Sequence, residues 1–221
     1  MTKLDIISDP ICPWCYIGKT LLDEALAQRP DHPFEIEWHP FQLNPDMPPG
    51  GMDRKAYLEQ KFGGRAGAAQ AYAPVLERAE AAGLGIDFAA IARAPNTMDA
   101  HRLLHWAGLE EKQDAVAMGL FRAYFNEGRD IGDSGVLAGV GAAAGMDADM
   151  IRRLLSTSAD RDDIAARDAH FRRIGVTGVP CFIIAGQHAV PGCQPADLWL
   201  KVIDELQGRS AAAGNGSPAG A

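Results

Sequence analysis

No stretch of this sequence approaches the ~18 apolar residues that a membrane-spanning helix requires. Its first residues, MTKLDIISDP, meet an aspartate and a proline before the apolar centre of an export signal can develop. The chain therefore reads as cytoplasmic, with no membrane among its partners. A basic excess is missing too. The 21 Lys and Arg against 29 Asp and Glu leave a net charge of −8, which argues against nucleic acid as a partner. Cysteine is scarce, four residues in 221, and no fixed repeat is visible. The apolar share, 47%, suffices for a core at this length, so disulfide staples are not needed for folding. In a reducing compartment, paired cysteines are more often catalytic or metal-binding than structural.

What is there falls into three stretches. Residues 3–8 form a short apolar-rich run, ended by Asp9-Pro10, and Cys12-Pro13-Trp14-Cys15 follows at once. Ile17, Leu21, Leu22, Ala25 and Leu26 recur at helical spacing, so a helix starts around the two cysteines. Residues 34–41 alternate with a period of two, the mark of a second strand. Between 53 and about 160 the pattern is helical with almost no strand signal. Helices are predicted over 54–62, 66–82, 98–107, 112–126, 134–144 and 149–156, with Asp133 and Asp147 as starts and Gly83 and Gly145 as ends. A helix over 162–174, a strand over 176–184, a turn at Gly186, a short strand over 188–190 and a helix over 195–206 complete the order. Residues 208–221, rich in Gly, Ala and Ser, read as a disordered tail.

The CxxC pair carries the chemistry. A thiol near pKa ~8.5 is mostly protonated at neutral pH, and exchange needs the thiolate. A helix N-terminus offers unpaired N–H groups and roughly half a positive charge, both favouring a thiolate at Cys12. Cys15, one turn later, can return to release a mixed disulfide. Pro13 suits the first helical turn, where its missing N–H costs nothing. Cys12 is expected to be the more exposed thiol and Cys15 partly buried behind it. Inert core thiols and half a zinc site are the competing readings. Zinc would need a second close pair, and Cys181 and Cys193 are too widely spaced to supply it, so no metal is expected. In Val179-Pro180, a proline inside a strand signal belongs at the strand start or an edge, where a cis bond would bring that backbone against the CxxC.

The stretches DPICPWCYIGK, WHPFQLNPD, APNTMDAHRLLHWA, LFRAYFNEGRDI and GVTGVPCFIIAGQHAVPGCQP together resemble the DsbA family of thioredoxin-like proteins, and within it the FrnE-like group. That group is similar in architecture to 2-hydroxychromene-2-carboxylate isomerases and kappa-class glutathione transferases. The resemblance implies an α/β, thioredoxin-like fold. Its thioredoxin-like part would comprise residues 1–45 and 162–207, with an all-helical insertion over 46–161 between a strand–helix–strand unit and a strand–strand–helix unit. It implies Cys12 as nucleophile, Cys15 as resolving thiol, Pro180 as a cis proline, and a substrate groove formed with Pro13, Trp14 and Val179. Asn96 and His101 would line the cleft facing Cys12, unless they serve helix capping and packing. DsbA carries histidine where this chain has Trp14, so the pair is expected to be less oxidising than DsbA and to favour reduction or isomerisation.

The expected partners are disulfide-containing proteins or small thiols, with a thioredoxin or glutathione reducing system behind them. No tightly bound cofactor is expected, although glutathione is a candidate co-substrate, and a homodimer is left open. Cys181 and Cys193 flank the terminal hairpin and either form a second disulfide or are two buried side chains. The competing functions are a glutathione-dependent isomerase or transferase, for which Cys15 would be superfluous, and a chaperone-like binding protein.

Overall fold

The computed structural model describes residues 1–208; the expected tail, apart from Gly208, lies outside them. Strand β1 (Thr2–Ser8), helix α1 (Pro13–Gln28) and strand β2 (Phe34–Pro40) come first. β1 and β2 run parallel, Ile6 opposite Trp38 and Ile7 opposite His39, as a helical crossover requires. Strands β5 (Cys181–Ile184) and β6 (His188–Pro191) complete a four-stranded sheet of order β2-β1-β5-β6. β5 is antiparallel to β1, with Ile6 opposite Phe182 and Ile7 opposite Cys181. A mixed α/β fold results.

Alternation along the strands assigns the two faces. Leu4, Ile6, Phe34, Trp38, Phe182 and Ile184 point into the main core with Leu22 and Ala25 of α1 and Trp199 and Ile203 of α9 (Ala196–Leu206). Phe182 meets Trp199 edge to face at 4.8 Å. Ile7 and Cys181 face the other side, where Phe41, Val176 and Phe171 of α8 (Arg161–Arg173) cover them.

Between β2 and α8 come α2 (Arg54–Phe62), α3 (Arg65–Ala81), α4 (Met98–Leu109), α5 (Gln113–Phe125), α6 (Ser134–Ala143) and α7 (Ala148–Leu155). The Asp133 and Asp147 side chains cap α6 and α7 by accepting from Val136 N and from Asp149 and Met150 N, the role their residue type favours. α5 fixes the outer side of α1. Tyr16 stacks on Phe121 and Phe125 and hydrogen-bonds Asn126 at 3.1 Å. The buried Lys19 reaches Asp23 and lies 3.0 Å from Asp114. Gln113 accepts from Trp38 N at 2.8 Å and donates to Trp38 O at 3.1 Å. It thereby pairs one residue of an otherwise open sheet edge.

Two differences from the sequence reading have local causes. Residues 176–180 are irregular, with bends at 178–180, rather than strand, because Gly175 takes φ 99° and Pro180 has no N–H for a ladder. A two-residue pairing of β3 (Met52–Asp53) with β4 (Arg93–Ala94) is too short to show alternation in sequence.

Gly18, in the second turn of α1, is where this helix meets the C-terminal strands. A Cβ there would lie 3.3 Å from Pro180 Cγ and 3.6 Å from Cys193 Cα. Gly18→Ala gains about 1 kcal/mol of helix propensity against a mild clash, and is expected to be near neutral. Gly18→Val is expected to cost about 1–3 kcal/mol through overpacking. Urea denaturation of the two variants checks this, and a valine variant as stable as the parent would contradict the contact.

Candidate active site

The β1–α1 junction is closed by Cys12 N donating to the Asp9 carbonyl at 2.9 Å. Cys12 is the N-cap of α1 and Pro13 its first residue, and the Cys12 side chain caps nothing. The Cys12 carbonyl accepts from Cys15 N at 3.1 Å and Tyr16 N at 3.3 Å. The Cys12 thiol sits at the positive end of the helix. Its sulfur donates to the Val179 carbonyl at 3.6 Å, and the Val179–Pro180 peptide bond is cis. Cys12, Cys15, Val179 and Pro180 thus come together from opposite ends of the sequence. Pro13 and Trp14 stand beside them, half-buried.

The expected contrast in exposure is absent, since Cys12 is 3% exposed and Cys15 2%. The helix start is covered by the Val179–Pro180 turn on one side and the core on the other. Burial pushes the Cys15 thiol well up, and the adjacent Cys12 sulfur adds to this; the Ser8 hydroxyl and the Asp9 amide act in the opposite direction.

Behind the cysteines lies a polar group that sequence reasoning passed over. Asp9 is fully buried. Its carboxylate accepts from Leu43 N at 2.7 Å and stands 3.7 Å from His101 Nε2. Burial raises Asp9 to about 7, against the pull of the Leu43 and Ile11 amides. Burial also holds His101 down at about 4. Asp9-Pro10 reads as turn punctuation, and only the approach of Leu43 and α4 from elsewhere in the chain encloses the carboxylate. Ser8, the last residue of β1, is equally silent in sequence.

His101 does not line an open cleft; it is 2% exposed. Asn96 is taken up locally, donating to the Met47 carbonyl at 2.6 Å and accepting from Met98 N at 2.9 Å. Cys181 and Cys193 are free thiols that the structure does not bring together. Cys181 packs with Ile7 and Phe171, while Cys193 packs with Ile17, Val75 and Ala79 by α1. The hairpin register explains this. Cys181 faces Pro191, and Cys193 lies past the Gly192 turn.

Asp5, Glu37 and His39, on the face under α8, hold ligand-type atoms within 4.8 Å of one another. Lys3 Nζ already lies 3.1 Å from Asp5 and 2.7 Å from Glu37. Arg167 approaches Glu37 at 3.3 Å and His39 Nδ1 at 3.0 Å. Two cations therefore occupy the place of a metal, and the cluster reads as a structural ion network.

The Asp9–His101 pair makes opposed contributions to stability. Folded Asp9 keeps its proton up to about pH 7, against an ordinary value of 3.8. On its own it makes stability fall as pH rises through that window, by at most about 1.4 kcal/mol per pH unit. Folded His101 stays neutral down to about pH 4, against an ordinary 6.5, so its contribution rises with pH between those values. The slopes offset each other across the shared window. Asp9→Asn is expected to unmask stability that rises from pH 4 to 6.5, and His101→Gln stability that falls from pH 4 to 7. Denaturation midpoints across that range decide it; two flat profiles would contradict the assignment.

The fold has counterparts among solved structures. A probable DsbA oxidoreductase from Streptomyces coelicolor is 29% identical, with a TM-score of 0.82, covering 97% of this chain and 93% of its own. A 2-hydroxychromene-2-carboxylate isomerase shares the fold at 20% identity and a TM-score of 0.68, over 94% of this chain and 95% of its own. The cytosolic disulfide reductase DsbM from Pseudomonas aeruginosa, solved with GSH, shares it at 22% identity and a TM-score of 0.62, over 94% of this chain and 99% of its own. The profile of the DSBA-like thioredoxin domain matches residues 3–204, nearly the whole described chain, and the protein belongs to that family.

Proposed function

We propose that this chain is a thiol–disulfide oxidoreductase in which Cys12 attacks and Cys15 resolves. The observation that carries the reading is the meeting of the α1 N-terminus with the Val179–Pro180 backbone, the Cys12 sulfur 3.6 Å from the Val179 carbonyl and Cys15 one turn behind. In the proposed cycle the Cys12 thiolate attacks one sulfur of a substrate disulfide and expels the other as a thiolate. Cys15 then attacks the Cys12 sulfur of the mixed disulfide. The Cys12–Cys15 bond forms, the second substrate thiolate leaves, and two electrons have passed to the substrate. A thiol reductant, glutathione or a thioredoxin-type protein, returns the pair to its reduced form. The shared fold with a cytosolic disulfide reductase solved with GSH supports that choice.

The substrate groove in this reading runs past Pro13, Trp14, Val179 and Pro180. A cavity of about 590 Å³ adjoins it, lined by Ile174, Val176, Val179, Ala189 and Pro191 among others, and suits an extended segment carrying a disulfide. Trp14 brings bulk but no cation to stabilise the Cys12 thiolate, which supports the reducing or isomerising direction in the cytoplasm.

Equilibration in glutathione buffers is expected to give a potential nearer the about −270 mV of thioredoxin than the about −120 mV of DsbA. A value above about −150 mV would reverse the direction. Insulin reduction should vanish in Cys12→Ser, and Cys15→Ser should accumulate the mixed disulfide. Full turnover by Cys15→Ser, with no Cys12–Cys15 disulfide in the parent, would favour the isomerase or transferase reading instead.

A further inference from the structure

The strand order β2-β1-β5-β6 sets the CxxC between two walls. β1 and β2 run parallel and end together, Ser8 opposite Pro40, while β5 begins at that edge with Cys181 opposite Ile7. The Val179–Pro180 turn therefore flanks the CxxC on the β5 side, and the segment leaving β2 flanks it on the other. Leu43 of that segment donates its N–H to the Asp9 carboxylate at 2.7 Å. Beyond it lies a cavity of about 380 Å³, lined by Leu43, Met47 and Met52 and by Asn44, Tyr57 and Lys61. An apolar wall with a few convergent polar groups is the usual composition of a binding pocket. Tyr57 and Lys61 stand four apart on α2 and so share a face. Lys61 Nζ donates to the Tyr57 hydroxyl at 2.6 Å and to Asn44 Oδ1 at 3.3 Å, and lies 5.2 Å from the Tyr57 ring centre. Both acceptors are neutral, and no carboxylate among the described residues pairs with this ammonium. The Tyr57 proton has only Asn44 Oδ1, 3.4 Å away, too long for a good O–H···O bond. A cation without a counter-charge and a hydroxyl without a good acceptor thus face one cavity.

We propose that this pocket selects the substrate by receiving an acidic side chain, Glu or Asp, of the extended segment that carries the disulfide. The carboxylate accepts from Lys61 Nζ and from the Tyr57 hydroxyl. The inference rests on the exchange function proposed above and names the residue class which that function prefers beside the reacting cysteine. A carboxylate supplies both missing partners at once, and a charge-assisted hydrogen bond is about twice as strong as a neutral one. The segment then crosses the CxxC from the apolar cavity at Val179–Pro180 to the Lys61 pocket. An extended chain advances about 3.3 Å per residue, so the acidic residue lies within a few positions of the cysteine, on one side of it only. Diffuse electrostatics work against such a substrate, because the protein carries a net charge of −8. A preference for acidic peptides therefore requires a local cation. Asp46, exposed on the same cavity, opposes the carboxylate and limits the preference.

End-blocked peptides, each with one cysteine held as a pyridyl disulfide, test this against the reduced full-length protein. The leaving group is uncharged, and its release follows the attack by Cys12. Paired peptides carry Glu or Gln at successive positions on either side of the cysteine. The parent is expected to react about threefold to tenfold faster with Glu than with Gln, at neighbouring positions on one side, the range set by an exposed charge pair and a hydrogen bond to a charged group. The Glu-to-Gln ratio should fall to one or below in Lys61→Gln, shrink in Tyr57→Phe and rise in Asp46→Asn. Lys61→Arg, which keeps the charge, should keep a ratio above one. A parental ratio near one at every position would overturn the inference. So would a ratio that survives Lys61→Gln, or one spread evenly over both sides, because neither needs this pocket. A parent no faster than Cys12→Ser with any peptide is a different result: it overturns the exchange reading, and this inference with it.

Discussion

The backbone hydrogen bond from Cys12 N to the Asp9 carbonyl closes the short turn that joins the central strand to the helix crossing over it. Because that turn is tight, three things follow within five residues. Ser8 ends the strand with its side chain inside, Asp9 is forced beneath the helix start, and Cys12 becomes the N-cap. Had the connection been longer, the carboxylate would have reached water and the cysteine would have left the helix end. The field at the helix N-terminus falls off within its first turn, so a displacement of one residue would remove most of it. The proposed chemistry depends on the length of this loop as much as on the cysteines.

Closing the loop buries charge, and the surroundings deal with it by hydrogen bonding and by suppressing ionisation together. The Leu43 and Ile11 amides reach the Asp9 carboxylate, yet burial outweighs them and leaves its titration near neutrality. His101, which could have neutralised the aspartate as an imidazolium, is itself too deeply buried to hold a proton readily. The buried salt bridge that residue types alone would suggest is thus disfavoured. Two mutually facing groups near neutrality cost less than two desolvated charges whose geometry, at 3.7 Å, is too loose to repay their dehydration.

Much of the fold was legible because its signals are local. Alternation exposed β2, helical spacing exposed α1 and the long helices, and Asp133 and Asp147 marked helix starts that their side chains do cap. The strand predicted from 176 failed at a proline and a positive-φ glycine, where apolar character alone misled. The site was only half legible. Cys12 and Cys15 announce themselves by spacing, and Val179-Pro180 by a proline at a strand start. Ser8, Asp9 and His101 acquire significance only when β1, the segment after β2 and α4 converge, a long-range event with no sequence period. For Cys181 and Cys193 the sequence left two readings open, and the structure shows free thiols. Their hairpin was anticipated, but a turn at Gly192 sends Cys193 toward α1 and away from the strand that would have paired them.

The same burial bears on the direction of electron flow. A strongly oxidising pair needs its reduced form stabilised, which means a well-stabilised attacking thiolate. Here Trp14 occupies the residue next to Cys15 without supplying a cation, and both sulfurs are withdrawn from water. Burial disfavours the Cys15 thiolate, leaving only neutral donors to support it. Neutral donors stabilise a thiolate less than a nearby cation does. In the proposed cycle, such an environment raises the cost of the Cys15 thiolate relative to the disulfide, so that electrons would be given up more readily. In the exchange function proposed above, this balance of burial against donors supports the reducing direction.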